Sequence, residues 1–200
     1  MIAVVLLYVG AVLLVNGVWL VGSTVARFRE QEASEGAAVT GPGTYMLLGD
    51  REVAVMNLFT GGIGLVIALF SILRAPAGPA GIVDIEFGGF VLLFAFTYLY
   101  VAANQFLRAD GTAFGWYCLF VAITAVPTAI ITLVNSKGHI WPVWLGLDWA
   151  VWAVLWFLFF LLLAVKRPIA RLTGIATILV AIVTAWVPGY LLLTGYLSPA

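Results

Sequence analysis

Six apolar runs, each about as long as a bilayer's hydrocarbon core is thick, govern what this 200-residue chain can become. They lie at 2–22, 53–73, 86–107, 113–134, 143–165 and 171–196. A segment that crosses lipid must satisfy its own backbone N–H and C=O groups, so each run is expected to be a helix. The alternative, six buried helices of a soluble domain, fails on composition. Only 9% of the residues are charged, against about 25% in soluble domains, and no polar faces are left to cover a globule. The expected fold class is therefore an all-α integral membrane protein of six transmembrane helices, with residues 1–200 forming a single transmembrane domain.

Several function classes drop out early. Formal net charge is zero, which offers nothing to nucleic acid. Cys118 is the sole cysteine and His139 the sole histidine, so a Cys/His metal site or nucleophile pair has no second member. No nucleophile, base and orienting group can be assembled. An enzyme is not expected, nor a metal or cofactor. The first apolar run lacks a preceding basic stretch and is too long for a signal-peptide core. It reads as a retained first helix.

The joints between runs carry turn residues: RAPAGPAGIVD, RADGT, NSKGHIWP and KRPIA. One joint, 23–52, is long, and its RFREQEASEGAAVTGPG is rich in charge, Gly and Ala. It reads as a lightly ordered cytoplasmic loop. Basic residues set the orientation. The first, third and fifth loops hold Arg27, Arg29, Arg51, Arg108, Lys166, Arg167 and Arg171, whereas the second and fourth hold only Arg74 and Lys137. The odd loops are expected in the cytoplasm and both termini outside.

A faint repeat runs through the chain. Leu7-Tyr8-Val9-Gly10 resembles Leu99-Tyr100-Val101-Ala102, and LFVAITAVP (119–127) resembles LVAIVTAWVP (179–188). This suggests three repeated helical hairpins around a central pore in each protomer; chance likeness among apolar residues is the competing explanation.

Polar and aromatic stripes mark where chemistry could sit. At about 100° per residue, Phe96, Thr97, Tyr100 and Asn104 share an arc of the third run, with Tyr98 pointing elsewhere. In the fifth, Asp148, Trp149, Trp152, Leu155, Trp156 and Phe159 share an arc. The first offers Leu6, Gly10, Leu13 and Gly17, with Val9 and Asn16 at the margin. Such residues also serve as glue between membrane helices. Yet Trp152 and Trp156 lie deep, away from the interfaces tryptophan favours, and each buried indole N–H needs a partner. Asp148 is the one acid well inside a span and a functional candidate by position. An aromatic, uncharged lining strips an ion of water at a prohibitive cost. It suits small, planar, neutral, polar solutes.

The blocks LLYVGAVLLVNG (6–17), AVMNLFTGG (54–62), FTYLYVAAN (96–104), GWYCLFVAITAVPTAI (115–130), VWAVLW (151–156) and TAWVPGYLL (184–192) resemble, in content and order, the AmiS/UreI family of bacterial urea channels and short-chain amide transporters. The resemblance implies a six-helix protomer with its own pore in the bacterial cytoplasmic membrane. It further implies a homohexameric ring with lipid at its centre, and delivery of urea or small amides to a cytoplasmic urease or amidase. It carries pore-lining roles onto Leu6, Val9, Leu13, Phe96, Tyr100, Trp152, Leu155 and Trp156. Two departures favour the amide-transporter branch. The acid-gated urea channel has a histidine-bearing loop where this chain has RAPAGPAGIVDIE, and a glutamate where this chain has Val180. Gating by histidine protonation is not expected. Rival readings are a proton-coupled transporter using Asp148 and a non-transporting membrane assembly subunit.

Overall fold

The computed structural model describes residues 1–34 and 48–198, which are helical throughout apart from their connections. The helices are α1 (Ile2–Ser34), α2 (Asp50–Arg74), α3 (Ile82–Leu107), α4 (Thr112–Asn135), α5 (Ile140–Leu163), α6 (Ala170–Val180) and α7 (Val187–Leu193). A π-helical turn, Ala181–Trp186, joins α6 to α7. The two helices and the turn form one continuous span, giving, among the described residues, six helices long and apolar enough to cross a membrane.

The largest difference from the sequence pattern is in α1. It continues through Ser34 rather than ending at 22, and α2 begins at Asp50. The remainder of the charged loop, 35–47, lies outside the described residues. A helix of 33 residues is about 50 Å long, against about 30 Å of hydrocarbon. The end of α1 away from Met1 therefore projects past the bilayer. At the start of α2 the Gly49 N–H donates to the Glu52 carboxylate (3.0 Å), and Asp50 and Glu52 oppose the positive end of the helix dipole. Helix α5 starts at Ile140, ahead of the expected 143, because Pro142 is tolerated in a first turn, where its missing N–H has no intrahelical partner to lose.

The helices pack as three antiparallel pairs: α2 with α3, α4 with α5, and α1 with the α6–α7 span. Two pairs are consecutive in the chain, and the third closes the ring by bringing the first span to the last. Without a hydrophobic force between helices in lipid, close backbone approach supplies the attraction. A Cβ on Gly17 would lie 2.8 Å from the Gly174 carbonyl oxygen, and one on Gly61 3.0 Å from that of Ala95. Small residues are thus required where α1 crosses α6 and where α2 crosses α3. Gly62, beside Gly61 in sequence, meets nothing within 4 Å. The glycine run in α2 serves packing on one face only.

Candidate functional site

Among the described residues, a larger and a smaller cavity enter the bundle from opposite ends. The larger, about 550 Å³, opens beside the α3–α4 and α5–α6 connections, where Asp110, Lys166 and Arg167 stand at its mouth. The smaller, about 90 Å³, opens at the end that carries Met1 and is lined by apolar and aromatic side chains such as Ile2, Leu6, Phe87 and Phe90. Phe94 and Trp152 line both, so these two rings stand in the partition between them.

The partition is an aromatic cluster. The Phe94 ring centre lies 4.9 Å from Trp152, edge-on at 81°. It lies 4.9 Å from Trp156 and 5.8 Å from Trp149. Trp149 meets Trp152 edge-on at 5.2 Å. Such tilted and edge-on contacts are the favoured geometries of aromatic pairs. All four rings are buried. The deep indole of Trp152 has found its partner: Nε1–H donates to the Thr184 hydroxyl at 2.8 Å. Thr184 in turn donates to the Val180 carbonyl at 2.7 Å.

Polar groups flank the partition on the side of the large cavity. The Asn16 and Asn57 amides pair reciprocally across α1 and α2, at 3.0 Å and 2.6 Å. Asn57 is wholly buried and gives its second N–H to the Val53 carbonyl (2.8 Å). That bond fixes which end of each amide is oxygen, because a carbonyl cannot face a carbonyl. Asn16 lines the cavity and keeps one N–H and one lone pair beyond the pair. Trp19, also on the wall, donates to Asp50 at 3.0 Å. At the mouth, Lys166 reaches Asp110 (3.5 Å), with both side chains largely exposed. Asp110 accepts from the Thr112 hydroxyl and N–H. Those two bonds, aided by Lys166, hold its carboxyl below the usual aspartate range.

The residues singled out from the sequence divide as follows. Leu13, Asn16, Thr97, Asn104, Trp152, Leu155 and Trp156 line the large cavity. Leu6, Val9, Trp149 and Trp152 line the small one. Three do not fit. Phe96 is 47% exposed on the outer surface. Tyr100 packs behind the wall on Phe114 (5.2 Å) and Tyr117. Asp148 is buried, lines neither cavity, and its Oδ2 meets no hydrogen-bond partner among the described residues. The expected arc of the third span meets the cavity face at Thr97 and Asn104 only. Its cavity face runs through Phe94, Thr97, Tyr98, Val101 and Asn104, so Tyr98 faces inward. Thr97, counted as a path marker, spends its hydroxyl on the Leu93 carbonyl (2.7 Å).

Phe94 and Tyr98 were therefore missed. A signal for them exists in Gly88, Ala95 and Ala102, small residues that recur along α3. Gly88 and Ala95 lie where α3 meets α2, and all three are buried. Small residues mark the helix–helix face in lipid, which fixes the phase of the neighbouring face. No group of three His, Cys, Asp or Glu side chains able to hold a metal ion occurs among the described residues.

Comparison with known proteins agrees over nearly the whole chain. Residues 36–196 match the family described as AmiS/UreI family transporter. The putative transporter protein AmiS2 of Rhodococcus erythropolis is 33% identical over 95% of this chain and 78% of its own. The acid-activated urea channel of Helicobacter pylori strain J99 is 33% identical over 96% of this chain and 97% of its own. Among solved structures, the cryoEM structure of the H. pylori urea channel in its closed state superposes with a TM-score of 0.74 at 29% identity. It covers 99% of this chain and all of that one. The crystal structure of the H. pylori urea channel gives 0.72 at 31% identity over the same shares.

Proposed function

This chain belongs to the AmiS/UreI family of transporters, and from that premise we propose that it is a facilitative, ungated channel for small neutral amides. Short-chain aliphatic amides are its main solutes and urea a further one. The observation that carries the reading is the aromatic partition. Phe94, Trp149, Trp152 and Trp156 meet between two opposed cavities with no charged side chain among them. An ion pressed between rings loses hydration worth many kcal/mol. A planar amide stacks on an indole face and exchanges its remaining hydrogen bonds with groups such as the Asn16 amide on leaving the rings. Weak, sequential contacts suit a channel, in which binding must not outlast passage.

The absence of acid gating is supported by the small cavity, whose lining holds no titratable side chain. It is supported also by His139, which sits exposed at the start of α5, away from that lining. We place the large cavity and the Lys166–Asp110 mouth in the cytoplasm and both termini outside, following the basic residues. The protomer works within a homohexamer, bounded by membrane lipid, and supplies a cytoplasmic amidase or urease. Proton-coupled transport would need a carboxyl on the path, and Asp148 lines neither cavity.

The test is stopped-flow light scattering on proteoliposomes with acetamide, urea and glycerol at pH 5 and pH 7.5, against empty vesicles. Fast amide influx at both pH values, with glycerol slow, is the expected result. Asp110, its carboxyl held low, stays ionised across this window, so the mouth keeps its charge pattern. Amide flux that tracks a proton gradient and fails in Asp148→Asn would replace the channel with a coupled transporter. No influx above empty vesicles, from folded protein, would favour an assembly subunit.

A further inference from the structure

One side chain behind the partition makes a directed hydrogen bond to it. Trp152, Trp156 and Trp149 all close on Phe94 from α5, and of the three Trp152 borders both cavities. Among the three tryptophans of the partition it is the one whose indole N–H is bonded within the described residues. Its acceptor, Thr184, is 3% exposed. A hydroxyl has one proton to give. Thr184 gives that proton to Val180, so its lone pairs are turned to the indole. The result is a directed relay, Trp152 to Thr184 to the helix backbone, which specifies one orientation of the ring.

The setting of Thr184 is unusual. It lies in the π-helical turn Ala181–Trp186, just before Pro188. Proline has no N–H and its ring crowds the carbonyl of the fourth residue before it, which here is that of Thr184. A wider turn relieves that crowding, and π turns of this kind recur at functional sites. The irregular turn and the hydrogen-bonded threonine thus occur together at the point where the last span touches the aromatic partition.

We propose that Thr184 is a positioning residue. It holds the Trp152 indole across the path and so sets the size cut-off of the partition. The inference rests on the channel reading above. With the hydroxyl removed, the indole N–H loses its acceptor among the described residues. The ring then turns toward a cavity to find one, and the gap beside Phe94 ceases to be fixed.

The experiment compares Thr184→Val, Thr184→Ser, Trp152→Phe and the double variant Trp152→Phe/Thr184→Val, each first shown to elute as wild type on size exclusion. The permeability ratio of acetamide to butyramide is read in proteoliposomes. Thr184→Val, nearly isosteric, lowers the ratio about fivefold, the population ratio that one ordinary hydrogen bond sustains. Thr184→Ser restores it. In the Trp152→Phe background, which has no indole N–H, Thr184→Val changes nothing further. Two results overturn the inference: a wild-type ratio in Thr184→Val, or an effect of that substitution undiminished beside Phe at 152, which would assign Thr184 to helix packing alone. The indole N–H resonance of Trp152, identified among eight tryptophans by its loss in Trp152→Phe, reads the bond apart from transport. Unchanged shift and hydrogen exchange in Thr184→Val refute the bond itself. A wild type silent toward every amide defeats the channel reading, and the resonance still decides the latch.

Discussion

Replacing Phe94 by alanine tests the partition most directly. The ring touches Trp152, Trp156 and Trp149 at 4.9, 4.9 and 5.8 Å, and it is the one residue of α3 that borders both cavities. Three aromatic pairs at about 0.5–1.5 kcal/mol each put the direct loss of stability at about 1.5–4.5 kcal/mol. A lowered unfolding temperature in detergent, without loss of assembly, is expected. The larger consequence is for selection. One methylene pressed against a fitted apolar wall is worth about 1–3 kcal/mol, or about 10–200-fold. Wild-type protein should therefore pass acetamide at least about tenfold faster than propionamide, after subtraction of empty vesicles. Opening the wall should bring that ratio below about threefold, chiefly by raising propionamide flux. Stopped-flow swelling of proteoliposomes measures both solutes in one preparation. Phe96→Ala, two residues away on the outer surface, is the companion. A ratio that stays at the wild-type value in folded Phe94→Ala, or that collapses equally in Phe96→Ala, would refute the placement of the partition.

Two further outcomes follow from the packing. Asn57→Leu should lower the unfolding midpoint by an amount equivalent to about 1–3 kcal/mol, because it leaves the Asn16 amide without its reciprocal partner; urea permeability should fall with it, and a stable variant with full urea flux would remove the pair from the path. Gly174→Val should abolish assembly, since even a Cβ would meet Val21 at 2.8 Å and the Gly17 carbonyl at 3.1 Å, whereas Gly62→Ala, with nothing within 4 Å, should express and elute as wild type on size exclusion.

The sequence spoke clearly about some features of this molecule and not at all about others, for a physical reason. Lipid demands about 20 apolar residues and a closed set of backbone hydrogen bonds, so six spans could be read directly. Lipid also removes the contrast that reveals an inward face in a soluble helix. A leucine or phenylalanine is equally at home against a neighbour or a lipid tail. On α3 the polar and ring-bearing residues alone define a stripe, and that stripe runs through Phe96 and Tyr100, whereas the cavity face holds Phe94 and Tyr98. On α5 the same approach brought out Trp152 and Trp156, because three tryptophans within two turns occupy one side whatever the phase. Asp148 shared that arc yet lines neither cavity, since an arc gives direction along one helix and says nothing of which neighbour stands there. The continuation of α1 to Ser34 was hidden by a composition rich in charge and alanine. Alanine and glutamate also favour helix in water, so the sequence could be read either way.

The pairing of the first span with the last bears on how the protein is made. Synthesis runs from Met1 onward, so the five earlier helices are complete while α1 still lacks its partner along one side. In that interval the Trp152 indole has no Thr184 to receive its N–H, and the wall between the two cavities is not yet fixed. Only when the final span arrives does Gly174 seat against Gly17 and Gly189 against Leu7. A ribosome that stalls before residue 170 leaves α1 unpaired along that side and Trp152 without its acceptor, so the wall between the two cavities is completed only by the α6–α7 span.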